Sequence, residues 1–459
     1  MSRSPEDHGR RTFRAPRLAT VPLVALAVLA LAPAPAAAEG PRGLEGLDAL
    51  APSLDALYLD LHRNPELSTH EARTAAEMAT RLRAAGFEVT EGVGGTGVVG
   101  VLRNGKGPTV LVRTDMDALP MPEKTGLPYA STVTARDDAG ETVPVMHACG
   151  HDVHMTSWVG AATLLAKAKT RWKGTLVFVG QPAEETLRGA EAMVKDGLLT
   201  RFPKPDFVLG LHVTNLLPSG AAGVTSGPAS AASNAVDVTF FGRGGHGAMP
   251  QRTIDPVLMA ARAVVALQAI VSREVNPFEP AVVTVGTFHA GTKRNVIPDE
   301  AKLQLTVRSY RPEVQKQLLA AIARIAKAEA AASGAPREPE VVVDPREASE
   351  VVVNDPAMSA RLEAALRRGL GDANVLPAEP SSSSEDFGVY GRVAGAPSVQ
   401  LRIGATAPAE LSRAKAEGRF VPGPHNSQFA PDRGPTIRTG VAALVFSTLE
   451  LLGGPAAKP

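Results

Sequence analysis

The chain has a single cysteine, Cys149, in 459 residues. One thiol excludes any internal disulfide framework. Net charge is nearly absent too, with 48 Lys+Arg against 47 Asp+Glu and a formal +1. A nucleic-acid binder usually carries a basic excess or stripe, so that balance argues against a nucleic-acid partner. Beyond residue 38 we read no segment long and apolar enough to span a bilayer. Charged residues are 21% and hydrophobic residues 44%, too apolar for disorder and ordinary for a globular chain. At about 150 residues per domain the length allows two or three domains. A core of that size needs no staples.

What is present begins with a leader. Residues 1–17 hold five Arg and two acids, and Leu18–Leu31 is uncharged and rich in Leu, Val and Ala. Ala36-Ala37-Ala38 follows, just before Glu39. Basic start, short apolar run and small-residue cleavage site are the three parts of an export signal. As a membrane anchor the segment is poor, because Pro22, Pro33 and Pro35 interrupt the uncharged stretch that runs on to Ala38. Arg10-Arg11-Thr12-Phe13 resembles part of a twin-arginine signal, with Arg14 where an apolar residue is usual. The expectation is a leader over 1–38, cut after Ala38, and a periplasmic or extracellular chain with no stable membrane anchoring. N-terminal sequencing of the exported protein tests it. The mature chain would keep 43 bases and 45 acids.

From Leu44 to about Val224 helical and strand patterns alternate. Leu50, Leu54, Leu57 and Leu61 mark one face of a helix, and Glu71–Ala85 reads as a second, closed by Gly86. Thr109–Val112, Thr175–Val179 and Phe207–Leu211 are nearly continuous apolar runs, suited to strands buried on both faces. Val153–Ala168 reads as a helix between two of them. This is an α/β layered domain. A second unit, residues 230–343, reads strand, helix, strand, strand, helix, strand. That βαββαβ order is the ferredoxin-like plan. We read it as an insertion splitting a first domain of residues 39–229 and 344–459. Helix Pro356–Leu370, strand Ser398–Ile403 and helix Thr436–Leu452 follow, with Gly404–Pro424 as a surface loop.

Candidate chemistry gathers just beyond strands, where open α/β sheets bind ligands. In Met146-His147-Ala148-Cys149-Gly150-His151-Asp152 a thiolate and an imidazole can face one cavity, with Asp152 accepting the ring's second N–H. The bland alternative is a small buried Cys and a helix-capping Asp. Glu184 and Glu185 are adjacent carboxylates at a strand end. They repel unless a cation is near, although a solvated acidic turn has the same sequence. His212 ends another apolar strand, where a lone His is commonly structural. Asp115 could orient a ligating His or simply close a turn. His425 lies in the late loop and says little alone. Together these residues exceed the ligands of one four-coordinate zinc, and two metals sharing a bridging thiolate fit better.

The blocks LHRNPELSTHE (Leu61–Glu71), VRTDMDALPMPEKTGLPYAS (Val112–Ser131), MHACGHDVHMT (Met146–Thr156), QPAEE, GLHV, GGHGAMP (Gly244–Pro250), NVIPDEA (Asn295–Ala301), SEDF (Ser384–Phe387) and PGPHNSQF (Pro422–Phe429) resemble, in order, the metal-dependent aminoacylase family. Hippurate hydrolases, plant auxin-conjugate hydrolases and bacterial N-acyl-amino-acid amidohydrolases belong to it. The resemblance implies an α/β, phosphorylase/hydrolase-like layered catalytic domain with an inserted ferredoxin-like lid and dimerisation domain. It implies that Cys149 bridges two divalent ions (zinc, manganese, cobalt or nickel). His151 and His212 would complete one ion's ligands, Glu185 and His425 the other's. Glu184 would be general base and acid, and Asp115 would support a ligand. His246 would stabilise the oxyanion, from a partner subunit if the protein is a homodimer. Asn295 and Arg308 would hold the substrate's carboxylate end. The chain departs from the family in Ser381–Ser384, where Gly is usual before SEDF, and in Ser427, where Pro is common.

The implied activity is hydrolysis of the amide bond of an N-acyl amino acid, a small-molecule substrate. A dipeptidase or carboxypeptidase-like enzyme on short peptides is the nearest rival. A catalytically silent metal- or ligand-binding protein is the rival from another class, and the intact Glu184-Glu185 pair argues against it.

Overall fold

The computed structural model describes residues 43–453. The expected leader and its cut after Ala38 lie outside the described residues. The central sheet has seven strands, in the order Glu88–Val93, Gly97–Asn104, Gly174–Gln181, Thr109–Asp115, Phe207–Pro218, Ser398–Thr406 and Ala222–Gly223. The middle four strands run parallel, and both margins are antiparallel. The three apolar runs are therefore central strands, as their composition indicates, and each extends further than its apolar core.

Alternation along these strands explains the layers. Leu176 and Phe178 join one hydrophobic cluster, while Val177 and Val179 join another. Successive side chains point to opposite faces, so both faces are covered. On one face lie helices Leu47–Arg63, Ala72–Ala84, His151–Lys167 and Arg433–Leu451. Helix His151–Lys167 is buried almost all round, which is why its sequence shows little amphipathic pattern.

The inserted unit forms a four-stranded antiparallel sheet, in the order Ala281–Ala290, Glu300–Ser309, Ala232–Phe241 and Glu340–Ser349. Helices Pro256–Ala269 and Pro312–Ala332 bury one side of it, around Phe240, Leu303, Met259 and Leu318. This is the βαββαβ order read from the sequence, with the last strand running on to Ser349.

Two expectations are corrected. Gly404–Pro424 is not a loop throughout: the strand runs to Thr406 and a helix spans Pro408–Glu417. Pro408 sits in its first turn and Gly418 ends it at φ 64°, the start and stop residues such a helix favours. The other correction concerns apolar length. Pro256–Glu274 is 19 residues long with mean hydropathy 1.4, enough to span a bilayer by length and composition. Met259, Ala263 and Leu267 of this stretch are in the inserted unit's core, while Leu258 and Val265 remain exposed.

Candidate metal centre

The parallel strands end in a common place. Asp115 closes one, Glu184 and Glu185 follow another, and His212 and Arg402 lie on the last two, paired in register. The turn before helix His151–Lys167 brings in the thiol. Gly150 takes φ +82°, and a Cβ there would sit 2.7 Å from Val213 Cγ2. A glycine is needed for both reasons, and it lets Cys149 and His151 reach the same centre.

The donor atoms of Cys149, His151 and His212 lie within 4.8 Å of one another, and so do those of Cys149, Glu185 and His425. Cys149 belongs to both sets. Its Sγ is 3.4 Å from His212 Nε2, and His425 Nε2 is 3.2 Å from Glu185 Oε2. His425 is a non-glycine residue at φ 64°, its N–H donating to Ala148 O at 2.8 Å. Such a conformation costs of order 1–3 kcal/mol and is held where the surroundings impose it.

Hydrogen bonds set the two inner imidazoles. His151 Nδ1–H donates to Asp117 O at 2.8 Å, and His212 Nδ1–H donates to Val213 O at 2.7 Å. That leaves each Nε2 without a proton and able to ligate a metal. His151 Nε2 and Glu185 Oε1 are buried and have no hydrogen-bond partner. An unpartnered buried acceptor costs about 1–3 kcal/mol, which a cation beside each would offset. Burial, then Glu185 and Glu184, push the Cys149 thiol well up, so a thiolate there needs a cation beside it. Burial pulls His151 down, but Asp115 and the bond to Asp117 raise it to about 10. The surroundings favour positive charge at this point. Soft sulfur, imidazole and carboxylate in two triads sharing one thiol fit a pair of divalent ions.

Glu184 stands beside the triads, its Oε2 3.8 Å from His151 Nε2. It forms a buried acidic cluster with Glu385 and Asp386. Burial, followed by the charges of Glu385, Glu185 and Asp386, raises its affinity for a proton, against the pull of Arg113. Arg113 is buried and binds Gln181, Asp115, Glu385 and Asp386 at 2.6–3.2 Å. Asp386 is pushed up to about 7 by burial, which outweighs Arg113.

Two orienting roles fall elsewhere than the sequence suggests. Asp117, not Asp115, holds His151. Asp115 Oδ1 instead accepts from His154 Nδ1–H at 2.7 Å, and His154 Nε2 accepts the Val213 N–H at 3.0 Å. Asp152 does not take the His151 ring N–H; it accepts from His62 Nδ1–H at 2.6 Å. Consecutive helical residues project about 100° apart, so His151 and Asp152 diverge. Burial lowers His62, but its bonds to Asp152 and Glu123 raise it to about 9.

Cys149, Glu184, Glu185, His212, His425 and Arg308 line one cleft of about 1120 Å³, which Ser233, Ala235 and Leu305 of the four-stranded sheet also line. Arg308 hydrogen-bonds to Ser384. His246 and Asn295 do not line this cleft. They lie together on the inserted unit, where His246 pairs with Val296 and Asn295 O accepts the Gly247 N–H. Sequence reasoning gave no role to Arg113, Asp117, His154 or Arg402. A lone Arg inside an apolar strand, as in Val399-Gln400-Leu401-Arg402-Ile403, was the available signal.

A family model described as peptidase family M20/M25/M40 matches residues 111–418. The hippurate hydrolase of Campylobacter jejuni is 39% identical over 333 residues, covering 72% of this chain and 82% of that enzyme. Thermostable carboxypeptidase 2 of Saccharolobus solfataricus is 35% identical over 376 residues, covering 81% and 88%. Among solved structures, a dinuclear metal binding peptidase of the M20 family from Bacillus subtilis aligns at TM-score 0.71 and 30% identity. That alignment covers 88% of this chain and 99% of the other.

Proposed function

Since this chain belongs to peptidase family M20/M25/M40, we propose that it hydrolyses the amide bond of N-acyl amino acids with two divalent ions. The observation that carries this reading is the thiol shared by two donor triads, with Glu184 beside them. Cys149, His151 and His212 would hold one ion; Cys149, Glu185 and His425 the other. When bound, such ions polarise the substrate carbonyl and lower the pKa of water toward about 7.

The chain's own groups then have defined tasks. Glu184 removes a proton from water, holds it in its acidic, buried surroundings, and delivers it to the leaving amine. Asp117 fixes the His151 ring and Val213 fixes that of His212. Arg308, on the wall of the cleft, takes the amino acid's carboxylate. Sulfur and imidazole suit zinc, while imidazole and carboxylate also accept manganese, cobalt or nickel.

His246 and Asn295 act from a second copy in this reading. Strand Ala281–Ala290 is an edge of the inserted sheet, and Val282, Phe288, Leu258 and Val265 are exposed on this unit. An open edge with apolar neighbours supports pairing between copies. An export signal over 1–38 would put the enzyme outside the cytoplasm, where scavenging of acylated amino acids or peptides suits its chemistry.

Amine release from N-acetyl, N-benzoyl and dipeptide substrates, with and without a chelator, tests the activity. Chelator-sensitive release from the N-acyl amino acids is the expected result. Faster release from dipeptides would favour the carboxypeptidase-like activity named in the Saccharolobus solfataricus relative. No chelator-sensitive hydrolysis across the panel would favour a binding protein.

A further inference from the structure

Arg402 sits in the middle of a strand whose residues are buried from Ser398 to Thr406. It is 6% exposed, yet it lines the cleft. Among the described residues no carboxylate lies within 4.0 Å of its guanidinium. Its protein hydrogen bonds run from Nη2 alone, to Ser230 Oγ at 2.9 Å and Ala229 O at 3.4 Å. The largest acidic influence on it is Glu385, followed by Cys149 and Tyr310, and the Glu385 carboxylate is already taken. Glu385 Oε1 accepts from Arg113 at 3.0 Å and from the Phe387 N–H at 2.9 Å, and its Oε2 accepts from Gln400 Nε2 at 2.6 Å.

Burying a cation without a partner is costly. An apolar residue would complete this strand at no such cost. The bond to Ser230 ties the strand to the chain entering the inserted unit, but one Nη2 suffices for that. The remaining N–H groups form a fork that matches a carboxylate. The serine run Ser381–Ser384 lines the same cleft. Arg308 is already assigned to one carboxylate, and among the described residues it too lacks an acidic partner within 4.0 Å.

We propose that Arg402 forms a second anion subsite, selecting amide substrates that carry another carboxylate besides that of the released amino acid. The proposal rests on the amidohydrolase reading and names its substrate class. The second carboxylate belongs either to a dicarboxylic acyl group or to an acidic amino-acid side chain. Arg402 pairs in register with His212, so this anion lies close to the reacting end of the cleft.

The test compares kcat/KM of the metal-loaded protein for N-acetyl-L-alanine, N-acetyl-L-aspartate and N-succinyl-L-alanine. The expected result is a preference of about tenfold or more for one of the two doubly charged substrates. Which one is preferred assigns the carboxylate to the side chain or to the acyl group. Arg402→Met should collapse that preference mainly through KM, and Arg402→Lys should retain part of it. A purely structural arginine would alter all three substrates alike. No preference in the wild type, or an unchanged preference in R402M, overturns the proposal. If R402M fails to fold, R402K and the wild-type preference decide.

If none of the three is hydrolysed, the amidohydrolase reading fails and calorimetric titration decides the subsite separately. Succinate binding more tightly than butyrate, with the difference reduced in R402K, supports it. Equal binding of the two overturns it.

Discussion

Glu184→Gln lowers turnover by about 10²–10⁴-fold while the protein keeps its full metal content. The amide preserves the shape of the side chain and removes its ability to take a proton. Glu184 belongs to neither triad built on Cys149, although it also stands in a donor set with His151 and Glu185, so its loss leaves both Cys149 triads in place. Measuring kcat on an N-acyl amino acid, together with metal per chain, separates the two effects. A near-wild-type rate would refute the assignment of Glu184. A parallel loss of metal would make it a ligand instead.

His246→Ala lowers kcat by about 10²–10³-fold, the cost of removing one oxyanion donor. Its imidazole does not line the cleft of its own chain, so in the proposed reading it acts from a second copy. Mixing the two variants tests this directly. In a dimer of one Glu184→Gln chain and one His246→Ala chain, one site has both groups intact. Turnover above the sum of the separate variants is expected after the subunits are exchanged. Additive, inactive mixtures would place His246 outside the reaction or within its own subunit's site.

Much of the fold was legible because its elements follow simple periodicities. The central strands are continuous apolar runs, and the inserted unit repeats strand and helix patterns at ordinary lengths. The hairpin Glu88–Val93 with Gly97–Asn104 was not read. Its first strand is mostly exposed or half-buried and lacks a clear apolar run. The helix Pro408–Glu417 was hidden by composition, since Ala, Pro and charged residues read as a loop until the proline and glycine are placed at its ends.

The site residues were legible by type, and their partners were not. His151 and His212 could be named, but which group holds each ring depends on the path of the backbone. Asp115 and Asp117 differ by two positions, and only the fold shows that one reaches His154 and the other His151. Arg113 meets Glu385 across 272 positions, a pairing no local pattern carries. Arg402 has no acidic partner within 4.0 Å among the described residues, so its sequence signal is only its apolar setting.

The shared thiol is the centre of the account, and anomalous diffraction from crystals loaded with zinc or manganese examines it most directly. Two peaks flanking Cys149 Sγ are expected, one with His151 and His212, the other with Glu185 and His425. A single peak away from the sulfur, or a thiol turned into apolar packing with both ions held elsewhere, would contradict it.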